Sequence, residues 1–268
     1  MTTDAVQTTY MFDNATSDAA LQVRLLAEIL DRHTSDVLTR YGVQPGWRCL
    51  DLGAGAGSVT HWLAGQVDSA GSVVAMDADP RHIAPDERIE LRTADISTAE
   101  LGAEEYDLIH ARLLLMHLPN RSDVVRRAAA ALKPGGLLVI SDWDCSRVED
   151  MFLRGSAELA GAFLAFQRGL MRILVNRGAS VDWARLTPLA VHDAGLVDVE
   201  TEIYNRVWSG GEAGCLLHAC NSRQLEAPLL ADGVSAEQLA TLRAGMSDPH
   251  TLAYQYPMFT TVGRRPAV

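Results

Sequence analysis

Between Trp47 and Asp144 short apolar runs alternate with amphipathic stretches, and this alternation restricts the possible folds more than any other feature of the chain. Arg48–Leu52, Ser72–Asp77, Ile89–Thr93, Tyr106–His110 and Leu137–Ser141 read as strands, each bounded by turn-forming residues. Ser58 to Val67 reads as a helix with Val59, Trp62, Leu63 and Val67 on one side. A further helix from about Ser122 to Leu132 is stopped by Lys133-Pro134-Gly135-Gly136. Strand and helix in turn require crossover connections, which make the strands parallel and cover both faces of the sheet. Two later runs, Leu196–Trp208 and Met258–Gly263, add to the five. The expected fold is therefore α/β: a doubly wound, mostly parallel, seven-stranded sheet with helical additions.

Those additions flank the sheet. Leu21, Leu25, Ile29 and Leu30 recur at helical spacing after the capping candidates Ser17 and Asp18, and a second short helix runs from Thr34 to Tyr41 and ends at Gly42. Met151 to Arg177 and Cys215 to Met246 are helical in pattern. No repeat or low-complexity linker divides the sequence, so one domain is expected over residues 1–268. Its parts are an N-terminal helical lid (1–45), a core (46–145), a helical cap insertion (146–190) and C-terminal strands with a helical insertion (191–268).

The first strand-to-helix junction reads Asp51-Leu52-Gly53-Ala54-Gly55-Ala56-Gly57. Glycines there remove side chains that would keep a ligand off the backbone, at the strand end where open α/β sheets bind. A dinucleotide fits poorly, because Ser58 stands where its fingerprint wants a third spaced glycine and Asp51 would face a pyrophosphate. The same carboxylate suits a ligand with ammonium or sulfonium charge. Asp77 ends the second strand, placed to accept from two ribose hydroxyls, and Asp95 follows the third, placed to accept from an adenine amino group. Each alone is equally a turn former or cap; the three in order point to a cationic nucleoside. Asp79, followed by Pro80, is assigned to the turn.

Trp47 to Asp142 resembles the core of a class I S-adenosylmethionine (SAM)-dependent methyltransferase of the bacterial small-molecule, natural-product type. Asp51–Gly57 is similar to the first family motif, Val74–Asp77 to the second and Ala94-Asp95-Ile96 to the third. Tyr106–His110 through His117-Leu118-Pro119, and Leu132–Gly136, are similar to later ones. The resemblance implies a Rossmann-like methyltransferase fold, SAM as cofactor and S-adenosylhomocysteine as product. It implies Asp51, Gly53 and Gly55 around the methionine part, Asp77 at the ribose, Asp95 and Ile96 at adenine, Ala111 as a backbone contact, and Gly57 and Ala78 as further cofactor-binding residues. Tyr10, in a segment similar to one in such enzymes, is the implied lid.

Methyl transfer needs alignment, a dry pocket and, for some acceptors, a base. His117 reads either as that base or as a structural histidine beside Leu118-Pro119, and Arg112 either orients an anionic acceptor or pairs with a core carboxylate. Trp143, Phe163 and Phe166, with Arg168, read as an aromatic acceptor wall or as core; Trp208 and Tyr204 carry the same two readings. With nearly half the chain outside the motifs, a small, partly apolar metabolite is the expected acceptor. A cyclase or other non-methylating enzyme on the same cofactor is the alternative.

The net charge of -11, from 34 acidic and 23 basic side chains, repels a nucleic-acid partner. No secretory leader and no membrane-spanning run is read, and the four cysteines are scattered. A cytoplasmic protein without a metal site and without membrane or nucleic-acid partners is expected, with a homodimer left open.

Overall fold

The computed structural model describes residues 17–267, the side chain of Ser17 excepted. The elements in chain order are α1 (Ser17–Tyr41), β1 (Arg48–Leu52), α2 (Ser58–Val67), β2 (Ser72–Asp77), β3 (Ile89–Thr93), β4 (Tyr106–Arg112), α3 (Arg121–Ala131) and β5 (Leu132–Trp143). They continue with β6 (Phe152–Arg154), α4 (Ala157–Asn176), α5 (Trp183–Asp193), β7 (Val197–Tyr204) and β8 (Val207–Ser209). The chain closes with α6 (Ala213–Gln224), α7 (Glu226–Ala231), α8 (Ala236–Gly245), β9 (Leu252–Tyr254) and β10 (Met258–Arg264).

Seven strands form one sheet in the order β3-β2-β1-β4-β5-β10-β7. β1, β2, β3, β4 and β5 are parallel, and β10 is antiparallel to both β5 and β7. The chain leaves β1 toward β2 on one side and returns to β4 on the other. That reversal opens a crevice at the carboxyl ends of β1 and β4. Strand alternation divides the core: Leu50, Leu52, Val74, Met76, Ile109 and Ile140 pack into one apolar cluster, while Cys49, Val73, Leu108 and Val139 pack with Val37, Leu38 and Leu63 on the other face.

Four features depart from the sequence reading. The two expected N-terminal helices are one helix, α1, because no glycine or proline interrupts residues 31–34 and buried Leu30, Thr34 and Val37 continue the inner face. It ends where Gly42, at φ +76°, donates its N–H back to Leu38 O. β5 begins at Leu132, so the expected stop Lys133–Gly136 lies in the strand, at a pairing irregularity opposite β4.

The alternating run Leu196–Trp208 splits into β7 and β8, and β8 joins a second, three-stranded sheet in the order β6-β9-β8. Its three-residue strands come from distant parts of the chain and are too short to carry a period. Finally, α5 packs against β5, β7 and β10 as a sheet helix, so the helical cap beyond β5 is α4 alone. No described helix is long and apolar enough to cross a membrane.

Candidate active site

A cavity of about 1120 Å³ opens at the crevice between β1 and β4. One end is built from strand termini. Asp51, Gly53, Ala54, Gly55 and Ala56 line it from the first loop, with Asp77, Ala78 and Asp79 after β2 and Ala94, Asp95 and Ile96 after β3. His110 and Arg112 line it from β4. The other end is built from helices: Ala19, Gln22, Val23 and Leu26 of α1, Leu170, Met171 and Leu174 of α4, and Leu217 and Asn221 of α6. Trp143, Cys145, Met116, His117 and Tyr256 also line it, as do Arg81 and His82 beyond β2.

The glycine loop is held open by its acids. Gly55 N–H donates to Asp77 Oδ2 (2.9 Å), and Asp79 N–H donates to Asp77 Oδ1 (2.8 Å), so one carboxylate fixes the loop against the end of β2. Gly55 sits at φ +57°, and a Cβ there would meet only Gly53 O, at 4.0 Å. Gly57, at φ +83°, is tighter: a Cβ there would lie 2.9 Å from Ile83 Cγ2. Gly55 thus leaves room for a ligand and Gly57 room for the protein.

Asp51 is engaged in a way the sequence reading missed. It pairs in register with His110 across β1 and β4, so both side chains emerge on one face. His110 Nδ1 lies 2.8 Å from Asp51 Oδ1, and Thr60 Oγ1 donates to Asp51 Oδ2 at 2.6 Å. Both residues are buried, and His110 Nε2 has no protein partner. His110 and Thr60 fix the carboxylate in place and leave its remaining lone pairs to a ligand. Asp95 Oδ1 accepts from Ser97 N–H at 2.9 Å, an Asx turn that leaves the other oxygen available.

Arg112 lines the cavity, but its guanidinium is committed: it donates to Asp31 Oδ1 (2.8 Å) and Thr34 Oγ1 (3.0 Å) and reaches Ser58 Oγ (3.3 Å). These bonds clamp α1 to the end of β4 and the start of α2. Next to it, Leu113 adopts φ +52°, rare for a branched side chain, and its N–H donates to Ser141 O (2.8 Å). The turn that follows puts Leu114 against Gly53 and exposes Met116 and His117 to the helical end of the cavity. Burial, aided by the charge of Arg121, lowers the His117 pKa to about 4, so its ring is neutral near pH 7.

The aromatic residues separate into two groups. Trp143 lines the cavity and tilts against Tyr256, with ring centroids 5.3 Å apart. Phe163 and Phe166 do not line it: both are buried and present edges to His218 of α6, at 5.1 and 6.2 Å. The cavity side of α4 is instead Leu170, Met171 and Leu174, one to two turns on. Trp208 lies in the small sheet under the Arg206 guanidinium (3.8 Å), against Gly214, where a Cβ would be 2.2 Å from the indole. Tyr204 stacks on His33 at 4.6 Å, and Arg168 pairs with Glu149 at the surface. Tyr10 lies outside the described residues.

Sequence reasoning missed Tyr256, Gln22, Asn221 and Cys145 as lining residues. Only the tertiary fold brings them together. Tyr256 donates to Gln167 Oε1, Gln167 Nε2 sits 3.1 Å from His218 Nδ1, and this chain of bonds fixes the floor between α4 and α6. Burial holds the Cys145 thiol far above its ordinary pKa.

These residues fit an adenosyl amino acid better than a phosphate ligand. The strand end supplies four carboxylates, one of them (Asp79) paired with Arg81, and bare backbone; its other arginine, Arg112, is taken by Asp31. Comparison with known proteins agrees. A family model described as a methyltransferase domain matches residues 21–182. The chain is 29% identical over 150 residues to methyltransferase GfsG of Streptomyces halstedii, spanning 53% of this chain and 52% of that one. It is 35% identical over 114 residues to trans-aconitate 2-methyltransferase of Variovorax paradoxus (strain S110), spanning 41% and 43%. The matches thus take in about half the length of each relative. Among solved structures, phosphoethanolamine N-methyltransferase 2 of Haemonchus contortus in complex with S-adenosyl-L-methionine superposes with a TM-score of 0.60 at 16% identity, covering 97% of this chain and 60% of that chain. At that identity the likeness is one of fold.

Proposed function

The chain belongs to the methyltransferase-domain family, and from that premise we propose that it transfers a methyl group from SAM to a small, neutral, partly apolar molecule held between α1, α4 and α6. The observation that carries the reading is the division of one cavity into an acidic, glycine-lined end and an apolar end. Bound there, SAM supplies an electrophilic methyl on a sulfonium. The protein's work is to bind, orient and exclude water.

Asp77 accepts from the ribose hydroxyls, Asp95 from the adenine amino group, Ile96 packs beside the ring, and Ala111 lies in the strand below. Asp51, held by His110 and Thr60, faces the amino-acid part with Gly53 and Gly55. At the other end Leu170, Met171, Leu174, Leu217 and Trp143 exclude water. No Lys or Arg stands among the described lining residues of that end. The relatives named for trans-aconitate and phosphoethanolamine act on charged molecules; this end has no free cation to meet such an anion. His117 is neutral at working pH but, with a pKa near 4, is a weak base. It assists acceptors that give up a proton easily, such as a phenol or an enol, or simply contacts an amine that is already neutral.

Titration calorimetry with S-adenosylhomocysteine should give saturable one-site binding, and methyl-labelled SAM with a panel of neutral aromatic and polyketide-like metabolites should yield labelled product. Absence of S-adenosylhomocysteine binding would sink the reading.

A further inference from the structure

Apart from His117, Tyr256 and one pair of amides, the helical end of the cavity is apolar. Gln22 of α1 and Asn221 of α6, only 4% and 6% exposed, face each other across it, and Gln22 Nε2 donates to Asn221 Oδ1 at 2.9 Å. This is a single hydrogen bond, not the reciprocal pair two amides can make. Among the described residues Gln22 Oε1 and Asn221 Nδ2 take no further hydrogen bond, and both side chains line the cavity. Turning both amides over exchanges which residue donates, yet still leaves one acceptor and one donor unmatched. The free oxygen and amide nitrogen open on the cavity, where a ligand or water completes their bonds.

We propose that Gln22 and Asn221 form a polar clasp that recognises the methyl acceptor, and that this acceptor is a neutral molecule with an apolar body and one head that both donates and accepts a hydrogen bond, of the lactam or hydroxy-carbonyl kind. The proposal rests on the methyl-transfer reading for the identity of the ligand as an acceptor. The clasp accepts from the head's N–H or O–H and donates to its carbonyl. The body lies along Leu170, Met171, Leu174 and Leu217 toward Trp143 and Tyr256. A charged head fails here, because the clasp carries no net charge and the surrounding wall no ion to pair with it.

The test uses the full chain loaded with S-adenosylhomocysteine and four probes of similar size: 2-quinolone, N-methyl-2-quinolone, naphthalene and 1-naphthoate, titrated by ligand-observed NMR. 2-Quinolone should bind about tenfold more tightly than each of the others, the difference that a satisfied donor–acceptor pair makes. In the double variant Gln22→Met with Asn221→Leu, which removes both amides and so strands neither, the preference should fall to within about threefold while S-adenosylhomocysteine affinity is kept. A preference that survives in the double variant overturns the proposal and leaves the pair as a latch between helices, as does a variant that only melts at lower temperature. Tighter binding of 1-naphthoate, or no binding of 2-quinolone, overturns it too. Loss of S-adenosylhomocysteine binding in the wild-type chain is a separate result and counts against the methyl-transfer reading instead.

Discussion

The two ends of the cavity are built on different principles. At the strand end the ligand meets backbone and four carboxylates, all within residues 51–95 and each fixed by a bond to a neighbour a few residues or one strand away, such as Asp77 to Gly55. At the helical end it meets side chains drawn from α1, α4, α6 and the segment before β10, up to 199 residues apart in the case of Gln22 and Asn221. The first end is a local device carried by a motif. The second exists only once the whole chain has packed, and it can change one wall at a time.

The sharpest way to break this comparison is to fill the helical end. Leu170→Trp should lower turnover of any acceptor found in the labelled-methyl screen by roughly 100-fold, since overpacking of this size costs about 1–3 kcal/mol and removes the acceptor's space. S-adenosylhomocysteine affinity, measured by calorimetry, should stay within about threefold. If both fall together, the two ends are not separate.

A smaller effect is expected at the strand end. Gly55→Ala places a methyl in the room left beside the loop and should weaken S-adenosylhomocysteine binding by about tenfold with a modest drop in melting temperature. Gly57→Ala, which meets Ile83, should do the reverse and chiefly lower the melting temperature. Identical behaviour of the two variants would refute the division of labour between these glycines.

The smallest effect is one of pH, and its groups gather around the helical end and the helices that wall it. Burial lowers the pKa of His117 and His218 to about 4 and lowers that of His33, whereas it raises Asp142, beneath the Leu113–His117 turn, to about 8. The histidines bind protons more readily unfolded, so their contribution to stability is complete above pH 6.5 and is lost as pH falls toward 4. Asp142 binds its proton more readily folded, so its contribution is complete below pH 3.8 and is lost as pH rises through about 8. The three histidines outweigh one aspartate on the acid side. The free energy of unfolding, from denaturant titrations at each pH, should therefore peak near pH 6.5 and fall toward pH 8 by about 1 kcal/mol per pH unit. Asp142→Asn should flatten the alkaline side alone; an unchanged slope there would show that Asp142 is not the group responsible.

The same contrast explains what could be read in advance. The order of β1 to β5, the crevice and the positions of Asp51, Asp77 and Asp95 follow from periodicity and from glycine and aspartate at strand ends, which are local signals. Phe163 and Phe166 show where local signals stop: helical spacing places them on a buried face, but whether that face looks at a cavity or at His218 depends on how α6 crosses α4. Trp208 took the core one of its two readings for the same reason, since its partner Gly214 lies on α6, past the end of β8. Arg112 carried both of its readings in the sequence, and the clamp to Asp31 was invisible because α1 comes 81 residues earlier. The Asp51–His110 pair was hidden by strand register, which residue spacing alone does not reveal.

The turn after β4, entered through Leu113 at φ +52°, belongs to neither end and serves both. Leu114 closes on Gly53 while Met116 and His117 look toward the helices. For anyone redirecting this scaffold to a new acceptor, that makes residues 113–117 the least useful place to begin, because each exchange there is felt by both ligands at once. Diversity introduced on α4 and α6 would explore acceptor shape while the cofactor's half stays as it is, and lineages that change substrate without changing cofactor are expected to vary in the same place.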